Sequence, residues 1–221
     1  MENREKLTGI HAVIFDMDGV LIDTEKYLTR FWRQAALEAG YEIKEEHLLM
    51  MRSFASKYAA PRFQELYGPN FDYMAIRQRR KELMAEHLAQ HGIEKKPWVD
   101  ETLDALRKRG YKLAVATATS EERAFPYLEK IGILHKFDKI ICASMVENGK
   151  PCPDIYLYAC AQIDEKPENC IAVEDAPNGV LSAWRAGCHV VMVPDLSQPD
   201  DRLKTLIEKK ADSLRELLDF L

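Results

Sequence analysis

Residues 11–24 read His-Ala-Val-Ile-Phe-Asp-Met-Asp-Gly-Val-Leu-Ile-Asp-Thr, an apolar run that breaks into carboxylates. Residues 12–15 are short, apolar and bounded by polar neighbours, as in a strand buried on both faces of a parallel sheet. Asp16 then falls at the carboxyl end of that strand, the edge along which open α/β sheets form their ligand crevice. Asp18, two residues on, leans the same way while the chain stays extended, and Gly19 permits the turn that follows. Two carboxylates converging at a strand end repel each other unless a cation lies between them. A hard divalent ion such as Mg²⁺ is the simplest such cation.

Past Asp23 the apolar period changes from strand to helix, with Leu28, Phe31, Trp32, Ala35 and Ala39 recurring at three- and four-residue steps. Asp23 or Thr24 supplies the N-cap and Gly40 the stop. Helical patterning resumes over residues 55–67 and 71–91, interrupted by the turn Gly68-Pro-Asn70, and no strand-like run occurs between 23 and 91. After Gly92 helices and strands alternate: helices over 99–109, 121–131, 153–163 and 177–186, strands over 112–116, 139–143, 170–173 and 189–193. Two further helical segments are expected around 203–209 and 213–220. The expected fold is α/β, a Rossmann-like parallel sheet core formed by residues 1–22 and 92–221, with an all-helical cap subdomain, residues 23–91, inserted after the first strand.

Three strands thus end in residues able to do chemistry: Asp16 with Asp18, Thr117 with Ser120 close by, and Glu174 with Asp175. In a parallel sheet these ends face one crevice. Lys150 lies in the loop Asn148-Gly-Lys-Pro-Cys-Pro153, which follows another strand and is stiffened by its prolines. Carboxylates, a hydroxyl and a lysine gathered at one edge suit a metal and an anion, most economically a phosphoryl group. A net charge of −5 argues against nucleic acid, and no stretch reaches the ~18 apolar residues of a membrane span. The five cysteines have no C-x-x-C spacing, which points to neither a zinc site nor a disulfide framework. With a short charged N-terminus that lacks a secretory apolar centre, a cytoplasmic monomer acting on a small molecule is expected.

These stretches resemble the haloacid dehalogenase-like (HAD) superfamily of aspartate-dependent phosphotransferases, in the branch that holds β-phosphoglucomutase and small-metabolite phosphatases. The motifs are Phe15-Asp-Met-Asp-Gly-Val-Leu-Ile-Asp-Thr24, Ala114-Val-Ala-Thr-Ala-Thr-Ser120, Gly149-Lys-Pro-Cys-Pro-Asp154 and Val173-Glu-Asp-Ala-Pro-Asn-Gly179. The resemblance implies Asp16 as nucleophile and Asp18 as general acid/base. It also implies Thr117, Ala118 and Lys150 around the phosphate, and Mg²⁺ held by Asp16, Asp18, Glu174 and Asp175. The implied reaction is Mg²⁺-dependent hydrolysis of a small phosphorylated metabolite, preferably a sugar phosphate, through an aspartyl phosphate. A phosphohexomutase is the alternative, because it shares the chemistry of Asp16. A phospho-aspartate receiver or binding module ranks below both: in a receiver the phosphorylated Asp ends a later strand, and no insertion of ~70 residues follows the first.

Two features are particular to this chain. Trp98 stands after Pro97 where many relatives of this kind carry glycine. Among cap arginines, Arg52, beside the apolar run 48–51, is the expected contributor to substrate binding, and the cluster Arg77-Gln-Arg-Arg-Lys81 reads as a solvated helix face.

Overall fold

The computed structural model describes residues 6–221. Strand β1 (Ala12–Phe15) lies inside a six-stranded parallel sheet of order β3-β2-β1-β4-β5-β6. Its neighbours are β2 (Lys112–Thr117) and β4 (Cys170–Glu174), flanked by β3 (Lys139–Cys142), β5 (His189–Met192) and the short β6 (Lys209–Lys210). Because the order reverses around β1, the crevice at the carboxyl edge opens beside it. Phe15 pairs with both Val115 and Val173, so Asp16 continues β1 at the level of Glu174 on β4.

Alternation along the strands sorts side chains onto two apolar layers. Val13, Phe15, Leu113, Val115, Ile171 and Val173 pack against α5 (Val99–Lys108), α6 (Glu121–Lys130) and the C-terminal residues Leu214 and Leu217. On the other face Ala12, Ile14, Ala114, Ala116 and Ala172 meet α7 (Asp154–Gln162) and α8 (Pro177–Ala186). The small alanines let those helices approach closely, and Tyr156 of α7 is wholly buried there.

The C-terminal expectation needs correction. Only one helical turn forms, α9 (Asp201–Lys204), capped by the Asp200 carboxylate, which accepts from the Leu203 amide at 2.7 Å. The chain then adds β6 to the sheet edge, and Leu214–Asp219 is a 3₁₀ helix rather than an α-helix. A two-residue strand is too short to display alternation, and Ala211, Leu214 and Leu217 take their place from the core they complete.

Helices α1 (Glu25–Glu38), α2 (Glu45–Met50), α3 (Ser56–Tyr67) and α4 (Tyr73–His91) surround an apolar core of their own, with Phe31, Ala35, Phe63, Phe71, Ile76 and Met84 at its centre. Two backbone segments running side by side join this helical unit to the sheet. The Asp23 amide donates to the Glu94 carbonyl at 2.9 Å, and the Lys96 amide to the Leu21 carbonyl at 3.0 Å. A second seam lies over the strand ends. There the Ala55 amide donates to the Lys150 carbonyl at 2.9 Å, and the Asn178 amide group donates to the carbonyls of Met50 and Arg52 at 3.0 and 2.8 Å. Trp98, at φ 68°, takes the left-handed conformation that glycine adopts without steric cost, and the Arg215 guanidinium sits over its ring at 5.1 Å.

Candidate active site

The ladder of β1 runs one residue past the strand: the Asp16 amide donates to the Val173 carbonyl at 2.9 Å. That bond sets the Asp16 carboxylate, 2% exposed, beside Glu174 and Asp175, both fully buried. Two glycines make room for these groups. A Cβ on Gly19, whose φ is +84°, would overlap the Asp175 carboxylate, and one on Gly179 would overlap that of Glu174. The glycine of the Asp-x-Asp-Gly stretch is therefore required by close approach as well as by the turn.

Lys150 reaches into this group from its loop. Its Nζ donates to Asp16 Oδ1 and Glu174 Oε1, each at 2.6 Å, and to the Ala116 carbonyl at 3.0 Å, which uses every ammonium proton. The Tyr156 hydroxyl also donates to Glu174 Oε1, at 2.6 Å. Burial lowers the Lys150 pKa, but Asp16 and Glu174 more than offset it and hold the ammonium above its usual value. For Asp16 the balance goes the other way: burial outweighs the pull of Lys150 and pushes the carboxyl up to about 8. Burial also raises Asp175 well above the ordinary carboxylate range.

Asp16, Glu25, Glu174 and Asp175 are thus four buried carboxylates served by two buried cations, Lys150 and Arg52. With all four ionised the deficit is two charges, which a bound divalent ion would make up. Asp16, Glu174 and Asp175 each offer an oxygen within 4.8 Å of the others, and Asp175 Oδ1 is buried with no hydrogen-bond partner. An all-oxygen donor set with an orphaned carboxylate oxygen fits a hard cation such as Mg²⁺.

The carboxylate of Asp18, expected among the metal ligands, lies outside that cluster. Its Oδ1 accepts from the Thr24 hydroxyl at 2.5 Å and its Oδ2 from the Thr119 hydroxyl at 2.7 Å. Two hydroxyl donors fix its orientation at the edge of the cavity it shares with Asp16, a placement suited to proton transfer. Thr117 also differs from expectation. Fully buried, its hydroxyl accepts the Thr119 amide at 3.0 Å and shapes the loop after β2, while Ala118 and Thr119 line the cavity. Thr24 and Thr119 both stand in the stretches quoted above, but the partner of a hydroxyl cannot be read from spacing. Tyr156 carries no such signal, since it looks like one more apolar residue of α7.

Arg52 lines the cavity it shares with Asp16 and Asp18, with its guanidinium already engaged by neighbours. Its Nε donates to Glu25 Oε2 at 2.8 Å, its second nitrogen to Ser197 Oγ at 3.3 Å, and its third contacts Asp175 Oδ2 directly. The guanidinium is committed to balancing buried carboxylates. The basic cluster divides: Arg79 remains at the surface, paired with Glu38 at 2.7 Å, but Arg80 is buried to 6% exposure and Arg77 is half-buried. Helix α4 buries Tyr73, Ile76, Arg80, Met84 and Leu88, so Arg80 sits four residues from Ile76 and four from Met84 on the apolar stripe.

Comparison with known proteins agrees with this geometry. The family model for haloacid dehalogenase-like hydrolases matches residues 13–193. A phosphorylated carbohydrates phosphatase of Thermotoga maritima is 31% identical over 183 residues, 80% of this chain and 82% of that protein. The β-phosphoglucomutase of Bacillus subtilis is 30% identical over 223 residues, 94% of this chain and 93% of that one. Among solved structures, CbbY from Rhodobacter sphaeroides in complex with phosphate superposes with a TM-score of 0.78 at 27% identity, over 94% of this chain and 96% of that one.

Proposed function

This chain belongs to the haloacid dehalogenase-like hydrolases and is a phosphoric monoester hydrolase; from that premise we propose that it is a Mg²⁺-dependent phosphatase of small phosphorylated sugars acting through an aspartyl phosphate on Asp16. The observation that carries the reading is Lys150, buried and bonded at 2.6 Å to both Asp16 and Glu174 beneath a cavity that Asp16 and Asp18 line.

An Asp16 carboxylate oxygen attacks phosphorus as the ester P–O bond breaks. Asp18 gives the leaving alkoxide its proton. In the second half Asp18 takes a proton from water, the resulting hydroxide oxygen bonds to phosphorus, and the acyl phosphate bond breaks to restore Asp16 and release inorganic phosphate. The obstacle is charge, because a single like-charge pair at ~4 Å costs about 4 kcal/mol even at an effective dielectric near 20. Lys150 offsets part of that repulsion. Asp16, Glu174 and Asp175 would hold Mg²⁺, which when bound supplies the remaining positive charge against the phosphoryl oxygens. The helical unit acts as the cap that shields these steps from bulk water, and selects the leaving group.

The test is a screen of sugar phosphates with Mg²⁺, following phosphate release and isomer formation together, repeated in excess chelator. Release from several sugar phosphates that stops with chelator is expected. Isomerisation without release would mean a mutase, and release unaffected by chelator would remove the metal from the mechanism.

A further inference from the structure

Behind the buried carboxylates stands a side chain that the reaction described so far does not use. Tyr156 of α7 is wholly buried against the alanine-rich face of the sheet, where Ala114, Ala116 and Ala172 leave room for its ring. Its hydroxyl donates to Glu174 Oε1 at 2.6 Å, the same oxygen that accepts from Lys150 Nζ at 2.6 Å, and Nζ itself lies over the ring, 5.2 Å from the centroid. Both lone pairs of Oε1 are thereby engaged. Oε2 receives only a long bond from the Asp175 amide, at 3.3 Å. One oxygen of Glu174 is therefore full and the other nearly free, while Gly179 lies against the carboxylate and leaves no room for it to swing that way. The remaining neighbours of Tyr156 on this face are apolar, and phenylalanine would satisfy them equally well. The hydroxyl is there for Glu174.

Resting on the Mg²⁺-dependent hydrolase reading above, we propose that Tyr156 is a positioning residue of the metal site: by filling Oε1 from behind, it commits Glu174 to meet the cation through Oε2 and lets Lys150 be shared with Asp16. Without the hydroxyl, Oε1 keeps an unmet lone pair in a buried space, where an unsatisfied acceptor is costly. The carboxylate then gains by turning that oxygen toward the cation, or by drawing Lys150 away from Asp16. Either movement disturbs the fixed oxygen geometry that a small hard cation demands. A hydrogen-bonded partner behind a ligating group sets that group's orientation, and with it the affinity for the metal. Tyr156 touches neither the cavity nor the reacting atoms, so its effect passes through Glu174 alone.

The experiment titrates the metal-stripped full chain with Mg²⁺ alone by isothermal calorimetry, and measures kcat and KM for p-nitrophenyl phosphate over a range of Mg²⁺ concentrations. Tyr156→Phe keeps the ring beneath Lys150 and removes only the hydroxyl. It should weaken Mg²⁺ binding by roughly 10- to 100-fold, as loss of a partner behind a metal ligand does. At saturating Mg²⁺ its kcat should largely return, and its KM for the ester should match the wild type. Ile163→Ala is the control, because it damages packing at the buried end of the same helix without touching Glu174. It should lower the urea midpoint and leave Mg²⁺ affinity as it was. Should Tyr156→Phe fail to fold, Tyr156→Met, which also lacks the hydroxyl, takes its place. Wild-type Mg²⁺ affinity in a folded variant without the hydroxyl, or an equal loss of affinity in Ile163→Ala, would overturn the positioning role. Hydrolysis by a wild type that binds no Mg²⁺ would instead overturn the metal assignment on which the proposal rests, and the proposal with it.

Discussion

The floor and the roof of the cavity are opposites in charge and in construction. The floor is acidic: Asp16 and Asp18 line it from the end of β1, with Glu174 and Asp175, from the end of β4, fully buried next to Asp16. The roof is basic, and its arginines come from one face of α4 and from the first turn of α6. A strand end holds its side chain within a rigid ladder, which suits bond-making at one phosphorus atom. A helix face presents long side chains that can be exchanged without disturbing that ladder, which suits choosing among leaving groups. Between the two stands Arg52, a roof residue spent on the charge of the floor.

The largest effect should come from the floor. Asp16→Asn is expected to fold and to keep less than ~1% of wild-type phosphate release, since an amide cannot form the acyl phosphate and loss of a covalent step raises the barrier by several kcal/mol. Mass spectrometry of trapped wild type should show one phosphoryl group on Asp16, and activity of Asp16→Asn above that level would remove Asp16 as nucleophile.

Next comes Lys150→Met, which leaves Asp16 and Glu174 buried against each other without their shared cation. Breaking a buried pair by deleting one partner costs about 3–5 kcal/mol. A urea midpoint within error of wild type would show that the floor does not depend on Lys150.

Arg52→Ala sharpens the comparison, because it separates a roof that binds substrate from one that neutralises the floor. Without metal it should destabilise by about 3 kcal/mol. In melting temperature that is about 6–12 °C for a chain of this size. Excess Mg²⁺ should return much of the loss, because a bound cation takes over the balancing of Asp175. A drop that Mg²⁺ leaves untouched would show that the guanidinium is needed for packing alone.

The smallest effect is expected at Arg79, on the surface next to the buried Arg80. Arg79→Ala removes a surface pair with Glu38 and should change stability by no more than ~0.5 kcal/mol, with kcat/KM unaltered. A substrate-dependent loss in this variant would erase the distinction between Arg79 and Arg80.

Read from residues alone, the catalytic edge was largely legible. Residues 12–15, 112–116, 139–143, 170–173 and 189–193 match β1 to β5 to within a residue at either end; Asp16, Glu174 and Asp175 meet at neighbouring strand ends, and Lys150 reaches Asp16 and Glu174 from its loop. Harder to read were the partners. As a carboxylate near others Asp18 reads as a metal ligand, and only the fold shows Thr24 and Thr119 holding it aside. The run 77–81 reads as solvated because it is basic, yet the step from Ile76 to Arg80 to Met84 keeps the period of the buried stripe.

What the sequence by itself determined is the order of strand ends and the chemistry each one carries, because a buried strand declares itself by local apolar patterning and its end is where that patterning stops. The tertiary structure alone decided that Arg52 faces Asp175 while Arg80 faces the open cavity, that β6 closes the sheet edge, and that Tyr156 reaches Glu174. Those outcomes depend on which helix face is buried and against what. The partner of a long charged side chain is set by the free energy of burying it, and that is a property of the packed whole.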